Sequence, residues 1–218
     1  MTFIVRHSER IDYAHPEYWK TTLRYSQNRK DPYITVNGVD IAKKAAQRLL
    51  YSIRKDGLRL PDYIYSSPFT RCIETSIIIS ATLELYTNKR VLIRIENGLR
   101  ESFVQSLKQV KLMDSLMDAA NIYKRFSEHI DRFDRNYTPI YSFDEMKSSS
   151  INPLVELGRP IHVIDIIDKQ KNGIICTHGL NLLGLYVFES PNKLLALTQK
   201  NKLCGSREES YCSILKIS

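Results

Sequence analysis

Apolar residues recur along this chain with two periods, and the switches between them outline a layered fold. Short β-branched and aromatic runs at Thr2–Val5, Asp62–Ser66, Val91–Ile95 and Gly173–Thr177 predict four buried strands. Helical spacing fills the gaps. Val39, Ala42, Ala45, Ala46, Leu49, Leu50 and Ile53 repeat on one face after Thr35, an N-cap residue, and Gly57 closes that helix. Ser67-Pro68 reads as an N-cap followed by proline at the first helical position, opening a helix to about Glu84 with Phe69, Cys72, Ile73, Ser76 and Ile77 on one side. Pro160 is expected to open a helix carrying Ile161, Ile164 and Ile167 that stops at Asn172-Gly173, and His178-Gly179 to lead into another. The alternating Ser210–Ser218 end predicts a last, antiparallel edge strand.

Two stretches break the rhythm. Ser8 through Asp31-Pro32 is polar and aromatic and reads as a loop. Residues 102–150 are polar and helix-prone without strand alternation, so they read as an insertion capping the sheet. Helices are expected there around Leu107–Phe133, followed by a loop through Pro139 and Ser148-Ser149-Ser150. The whole, residues 1–218, is expected to be a single α/β domain. It would be a three-layer sandwich with a mostly parallel sheet, helices on both faces and a helical cap insertion.

A length of 218 residues suits one well-buried domain, and 43% hydrophobic with 26% charged residues is an ordinary globular balance. No apolar run approaches the roughly 20 residues that span a bilayer, and the first apolar residues reach Arg6 too soon for a signal-peptide core. Cys72, Cys176, Cys204 and Cys212 form no CxxC pair, which fits a reducing cytoplasm. The net charge of +8 suits nucleic acid, an anionic membrane or a phosphorylated substrate. Its cations are scattered through Arg24–Lys30, Arg54–Arg59 and Lys193–Lys202 with no aromatic-interleaved basic block. The expected partner is therefore a phosphorylated small molecule or phosphoprotein, with no nucleic acid and no membrane insertion, and a homodimer is left open.

The reactive residues gather at strand ends, where open α/β sheets bind ligands. Arg6-His7-Ser8-Glu9-Arg10, Ser66–Arg71, Gly98–Glu101 and Thr177-His178-Gly179 together supply two histidines, several guanidinium forks and a carboxyl group. That set fits phosphoryl transfer, in which charge on three equatorial oxygens must be stabilised. Arginines offer bidentate donors that stay charged. A histidine among them stays neutral and nucleophilic, which is the role expected of His7. Glu101 is the expected general acid, with Glu96 and Glu9 as alternatives. The arginines do the electrostatic work of a cation, so no metal and no cofactor are expected. Arg71 has an ordinary alternative as the i,i+3 partner of Glu74, and Tyr18 and Trp19 are either core or the mouth of the site.

These segments resemble the histidine phosphatase superfamily, in its phosphoglycerate-mutase-like branch. The opening RHG-E signature appears as Arg6-His7-Ser8-Glu9, with serine in place of glycine. The PLT-x-x-G element appears as Tyr33–Gly38, SSP-x-x-R-x-x-ET as Ser66–Thr75, the acid-bearing segment as Gly98–Glu101, and the second histidine as His178, all in family order. Arg6–Asp12 with Tyr18-Trp19-Lys20 is similar to the suppressor of T-cell receptor signalling and ecdysteroid-phosphate phosphatases. The resemblance implies a phosphohistidine on His7 and places Arg10 with Arg6, Arg71 and His178 around the phosphate. It implies a phosphomonoester hydrolase acting on aryl or bulky esters such as phosphotyrosine. The alternatives are a phosphoglycerate-type mutase and a phosphate-binding pseudo-phosphatase, the latter hinted at by Ser8.

Overall fold

The computed structural model describes residues 1–101, 118–148, 153–169, 173–179, 181 and 211–217. Strand β1 (Thr2–Arg6) opens the chain. The next segment is not the expected loop. It forms three short helices, α1 (Ile11–Ala14), α2 (Pro16–Thr21) and α3 (Leu23–Asn28). None exceeds six residues, too few turns for apolar periodicity to register. Their signals are local instead: Pro16 at the first position of α2, and the Thr22 hydroxyl, which accepts the Tyr25 N–H at 3.2 Å.

Helix α4 (Val36–Lys55) starts where Thr35 predicts, its hydroxyl accepting the Gly38 N–H at 2.8 Å. It ends as expected at Gly57, whose φ of +63° is a left-handed geometry that glycine adopts without strain. Strand β2 (Tyr63–Ser66) follows, and then α5 (Thr70–Thr87). That helix starts later than the Ser67-Pro68 signal. Its cap residue, Phe69, makes no side-chain cap bond, and the cap comes from outside the helix. Asp31 accepts the Thr70 N–H at 2.8 Å on Oδ1 and the Thr70 hydroxyl at 2.5 Å on Oδ2. Ser67 is engaged elsewhere, its hydroxyl lying 2.8 Å from His178 Nε2.

Strand β3 (Leu92–Ile95) leads into a 3₁₀ turn at Asn97–Leu99. Residues 102–117 of the expected insertion, with the start of its helices, lie outside the described residues. Helix α6 (Ala119–Arg125) and a 3₁₀ turn (Ser127–Arg132) continue it. In its described part the segment packs beside β3: Phe133 bridges Ile93, and the Asp134 N–H donates to the Ile93 carbonyl at 2.9 Å. The loop expected through Pro139 and Ser148 contains α7 (Phe143–Ser148). A reciprocal cap nucleates it, because Glu145 accepts the Ser142 N–H at 2.7 Å while Ser142 Oγ accepts the Glu145 N–H at 3.2 Å. Helix α8 (Pro153–Lys169) begins well before Pro160, which sits inside it rather than at its start. Pro153 takes the first helical position, the one that proline tolerates best. After β4 (Gly173–Thr177), only Gly179 and Asn181 of the next expected helix are described, and β5 (Ile214–Ile217) forms the last strand.

The strands lie in the order β3-β2-β4-β1-β5. β5 is antiparallel to β1 at the sheet edge, and the other pairings are parallel. Side chains alternate across each strand. Phe3, Val5, Ile64, Ile174 and Cys176 face α4 and α5 and pack on Ala42, Ala45, Leu49, Ile73 and Leu83. Ile4, Tyr65 and Ile175 face α8 and pack on Val163, Ile164 and Ile167. The chain therefore builds a mixed α/β sandwich with helices on both faces. Among the described residues, no helix is long and apolar enough to cross a membrane.

Thr35 does double duty, since its hydroxyl also donates to Glu9 Oε1 at 2.5 Å. Thr35→Ala removes both the helix cap and this tie to the segment after β1. The expected loss is about 1–2 kcal/mol in urea unfolding, and an unchanged midpoint and slope would contradict the assignment.

Candidate active site

Parallel pairing brings the carboxyl ends of β1, β2, β3 and β4 to one rim, and the residue after each of the first three donates its N–H to a neighbouring strand. The His7 N–H donates to the Thr177 carbonyl at 2.9 Å, Ser67 to Cys176 at 3.0 Å and Glu96 to Ser66 at 2.9 Å. The two histidines consequently lie close together, with ring centroids 5.4 Å apart.

Both rings are buried, and their partners decide which nitrogen carries the proton. His7 Nδ1 lies 2.8 Å from the Ser8 carbonyl, which can only accept, so Nδ1 holds the hydrogen and Nε2 keeps the lone pair. His178 has the opposite arrangement. Its Nδ1 is 3.2 Å from Arg71 Nη2, which can only donate, so Nε2–H is the donor to Ser67 Oγ. Burial first, then Arg71, Arg10 and Arg6, drive His7 well below its ordinary value of 6.5. Burial, Arg71 and His7 do the same to His178.

Arg71 reaches this pair from the first turn of α5 and is fully buried. Its Nη2 donates to Glu101 Oε2 at 2.6 Å, its Nη1 pairs with Asp31 Oδ1 at 3.6 Å, and Phe69 lies under its plane at 4.4 Å. Its Nε and Nη1 have no hydrogen-bond partner among the described residues, so they are donors to spare for an anion. Glu101 Oε2 is also 4.0 Å from His178 Nδ1. Arg6 stacks over Tyr211, 5.0 Å from its centroid, and Tyr211 is 6.2 Å from the His7 ring. A side chain at Gly179 would lie 3.2 Å from Arg6 Nε, so glycine leaves that guanidinium its room. Arg10 is gripped by Asp12 at 3.0 and 2.7 Å and covers the Tyr13 ring at 4.1 Å. Burial lowers its pKa, but the Asp12 pairing outweighs burial and raises it. All six residues singled out from the sequence, His7, Arg6, Arg10, Arg71, Glu101 and His178, thus lie at one rim.

The other candidate residues differ in their partners. Glu9 is tied to Thr35 and to Asn37 Nδ2 at 3.2 Å. Glu96 accepts from Gly98 N at 2.8 Å, Tyr137 Oη at 2.7 Å, Ile140 N at 2.7 Å and Tyr141 N at 3.2 Å. Both carboxylates are spent on scaffolding. Glu74 does not pair with Arg71. It accepts the Ile34 N–H at 2.8 Å, faces Arg24 at 3.5 Å, and burial pushes it up to about 7. Ser8 turns its hydroxyl to the Gly38 carbonyl at 2.6 Å, tying the end of β1 to α4. Trp19 is core, edge-on to Tyr25 and Tyr33, whereas Tyr13 and Tyr18 are exposed.

Sequence reasoning missed three contributors. Asp31 caps α5 and pairs with Arg71, Tyr211 supports Arg6, and Asn181 Nδ2 donates to the Leu99 carbonyl at 3.1 Å and the Arg100 carbonyl at 3.0 Å, holding the Glu101 segment. Among the described residues, no group of three or more His, Cys, Asp or Glu could hold a metal ion. The rim thus gathers guanidinium donors around two buried imidazoles whose protonation is disfavoured, an arrangement that can receive an anion.

The model of the histidine phosphatase superfamily (branch 1) matches residues 2–185, and the chain belongs to that family. The chain is similar to an uncharacterised phosphoglycerate mutase family protein of Acanthamoeba polyphaga mimivirus, 40% identical over 73 residues, which cover 34% of this chain and 32% of that protein. It is similar to a probable phosphoglycerate mutase of Saccharomyces cerevisiae, 28% identical over 146 residues, 58% of this chain and 49% of that protein. The matches thus span half or less of these curated relatives. The crystal structure of ecdysone phosphate phosphatase from Bombix mori with tungstate superposes with a TM-score of 0.60 at 17% identity, covering 98% of this chain and 86% of that one, a likeness of fold.

The two histidine assignments are measurable by ring-nitrogen NMR. His7 is expected as the Nδ1–H form and His178 as the Nε2–H form, neither with a midpoint at or above the ordinary value near 6.5. The unfolded chain protonates both rings below that pH while the folded chain does not, so these two groups make stability fall as pH drops below about 6.5. A ring that titrates at 6.5 or higher contradicts the electrostatics described.

Proposed function

We propose that the protein is a phosphomonoester hydrolase in which His7 Nε2 attacks the phosphorus of a phosphate ester. The observation that carries this reading is the neutral, buried His7 ring, its proton fixed on Nδ1 and its Nε2 lone pair free among guanidinium groups. In the first step the Nε2–P bond forms as the ester P–O bond breaks, and protonated Glu101 gives its proton to the leaving oxygen. In the second, water attacks phosphorus, its proton returns to Glu101, and the N–P bond breaks to restore neutral His7. Arg6, Arg10, Arg71 and His178 hold the phosphoryl oxygens, His178 by sharing the Nε2–H that it otherwise gives to Ser67, and the arginines supply the charge that a metal supplies elsewhere.

The proposed substrates are aryl or bulky phosphomonoesters, among them phosphotyrosine in a protein. Tyr13 supports this, being 43% exposed and stacked under Arg10 beside the site, where its ring can meet an apolar leaving group. Trp19, buried against Tyr25 and Tyr33, is not available for that role.

Rapid quenching of a reaction with labelled substrate should trap an acid-labile, alkali-stable phosphate on His7. His7→Ala should keep the fold and lose turnover. The same assay run with 3-phosphoglycerate separates the mutase alternative, because isomerised product with little free phosphate would replace the hydrolase reading.

Glu101→Gln tests the general acid through the leaving group. Hydrolysis of an alkyl phosphate is expected to slow by about 10²–10⁴-fold. A nitrophenyl ester, whose leaving group needs little proton assistance, should be scarcely affected. A loss of equal size for both esters would remove Glu101 from that role.

A further inference from the structure

The carboxylate of Asp31 is buried, yet it neither touches His7 nor matches any residue expected to act on phosphate. Its contacts are unusual for a helix cap. One oxygen, Oδ1, takes the Thr70 N–H at 2.8 Å and also faces Arg71 Nη1 at 3.6 Å. The other, Oδ2, takes the Thr70 hydroxyl at 2.5 Å and faces Arg125 Nη1 at 3.9 Å. One carboxylate therefore caps the first turn of α5 and pairs electrostatically with the guanidinium that leaves that turn and with an arginine of α6.

The consequence lies in the two ends of the Arg71 fork. Nη2 contacts Glu101 and His178, both of which have work to do in the proposed reaction. If Glu101 held Arg71 alone, each movement of that carboxyl toward a leaving oxygen would release the guanidinium. Asp31 faces the opposite nitrogen at 3.6 Å, an ion pair that leaves the Nη1 hydrogens free for phosphate, and does not take part in the reaction. From this geometry we infer that Asp31 is a positioning residue: it keeps the Arg71 plane aimed at the phosphoryl oxygens while Glu101 exchanges its proton. The inference rests on the hydrolase reading above. It also carries a directional expectation. Asp31 is itself an anion, so its charge opposes phosphate binding even as the ion pair aims Arg71. Neutralising it should misaim the fork in the transition state without weakening ground-state binding, so kcat falls and KM does not rise.

A double-mutant cycle between Asp31→Asn and Arg71→Ala tests this, read with nitrophenyl phosphate and with orthovanadate binding. Asp31→Asn in the parent chain should lower kcat by roughly 10–10²-fold, as a small misplacement of a catalytic group does, with KM unchanged or reduced. In the Arg71→Ala background the same substitution should have almost no effect on kcat or on vanadate affinity. Thr70→Val removes the cap hydroxyl bond and leaves the charge in place, so it should lower the melting temperature while kcat and KM stay close to the parent values. If Asp31→Asn does not fold, Asp31→Ser carries the same cycle. Equal losses in both backgrounds, or a kcat loss in Thr70→Val matching that of Asp31→Asn, would reduce Asp31 to a structural cap and overturn the inference. A parent protein inert toward all phosphomonoesters would instead overturn the hydrolase reading, and the vanadate cycle would still decide whether Asp31 acts through Arg71.

Discussion

A guanidinium with no exposed surface, Arg71, sets the terms for the rest of the structure. Arginine does not shed its proton in a protein, so burying it requires counter-charge or a permanent anion site. Removing one partner of such a buried pair costs about 3–5 kcal/mol, because the remaining charge is stranded. The fold answers with Asp31 on one nitrogen, Glu101 on the other and the Phe69 face beneath. That same positive charge is second only to burial in keeping His7 and His178 unprotonated. Charge, tautomer and helix placement are therefore one linked arrangement, and a change at Arg71 alters all three.

The carboxylates around the rim show how partners, rather than residue type, assign roles. Glu9 and Glu96 are saturated by hydroxyl, amide and backbone donors and serve as fasteners. Glu74 accepts a backbone N–H and faces an arginine. Glu101 instead sits at the tip of a guanidinium, about one-fifth exposed, where it can meet both solvent and a ligand. Chemistry is open to the carboxylate with the fewest structural duties.

The sheet and the two long helices were legible because their apolar periods run long enough to be distinctive, as in the stripe from Ala42 to Ile53. The strand ends were legible too, since reactive residues placed directly after buried β-branched runs have one rim to occupy. What escaped reading was decided by distant contacts or by short elements. Ser67 looks like a cap, yet a ring more than a hundred positions away claims its hydroxyl, and Asp31 supplies the cap in its place. The helices between Ile11 and Asn28 carry no stripe because none completes two turns. Pro160 marked a helix start only on the assumption that proline never sits inside a helix. Trp19 and Tyr13 are both aromatic residues of one polar stretch. Only packing against Tyr25 and Tyr33 separates the buried ring from the exposed one.

Strand β1 lies between β4 and β5, with Thr2 opposite Gly173 on one side and Ile217 on the other, partners well over a hundred positions later in the chain. During synthesis this hydrophobic strand therefore emerges long before either of the neighbours that will pair with it. Pairings this remote are slow to form, and until they do the unpaired edges invite association with other chains. His7 follows β1 directly, and its amide donates to the Thr177 carbonyl. A chain stalled or clipped before β4 would carry His7 in sequence but would not yet possess a site, so chemical competence arrives only with the closing of the sheet.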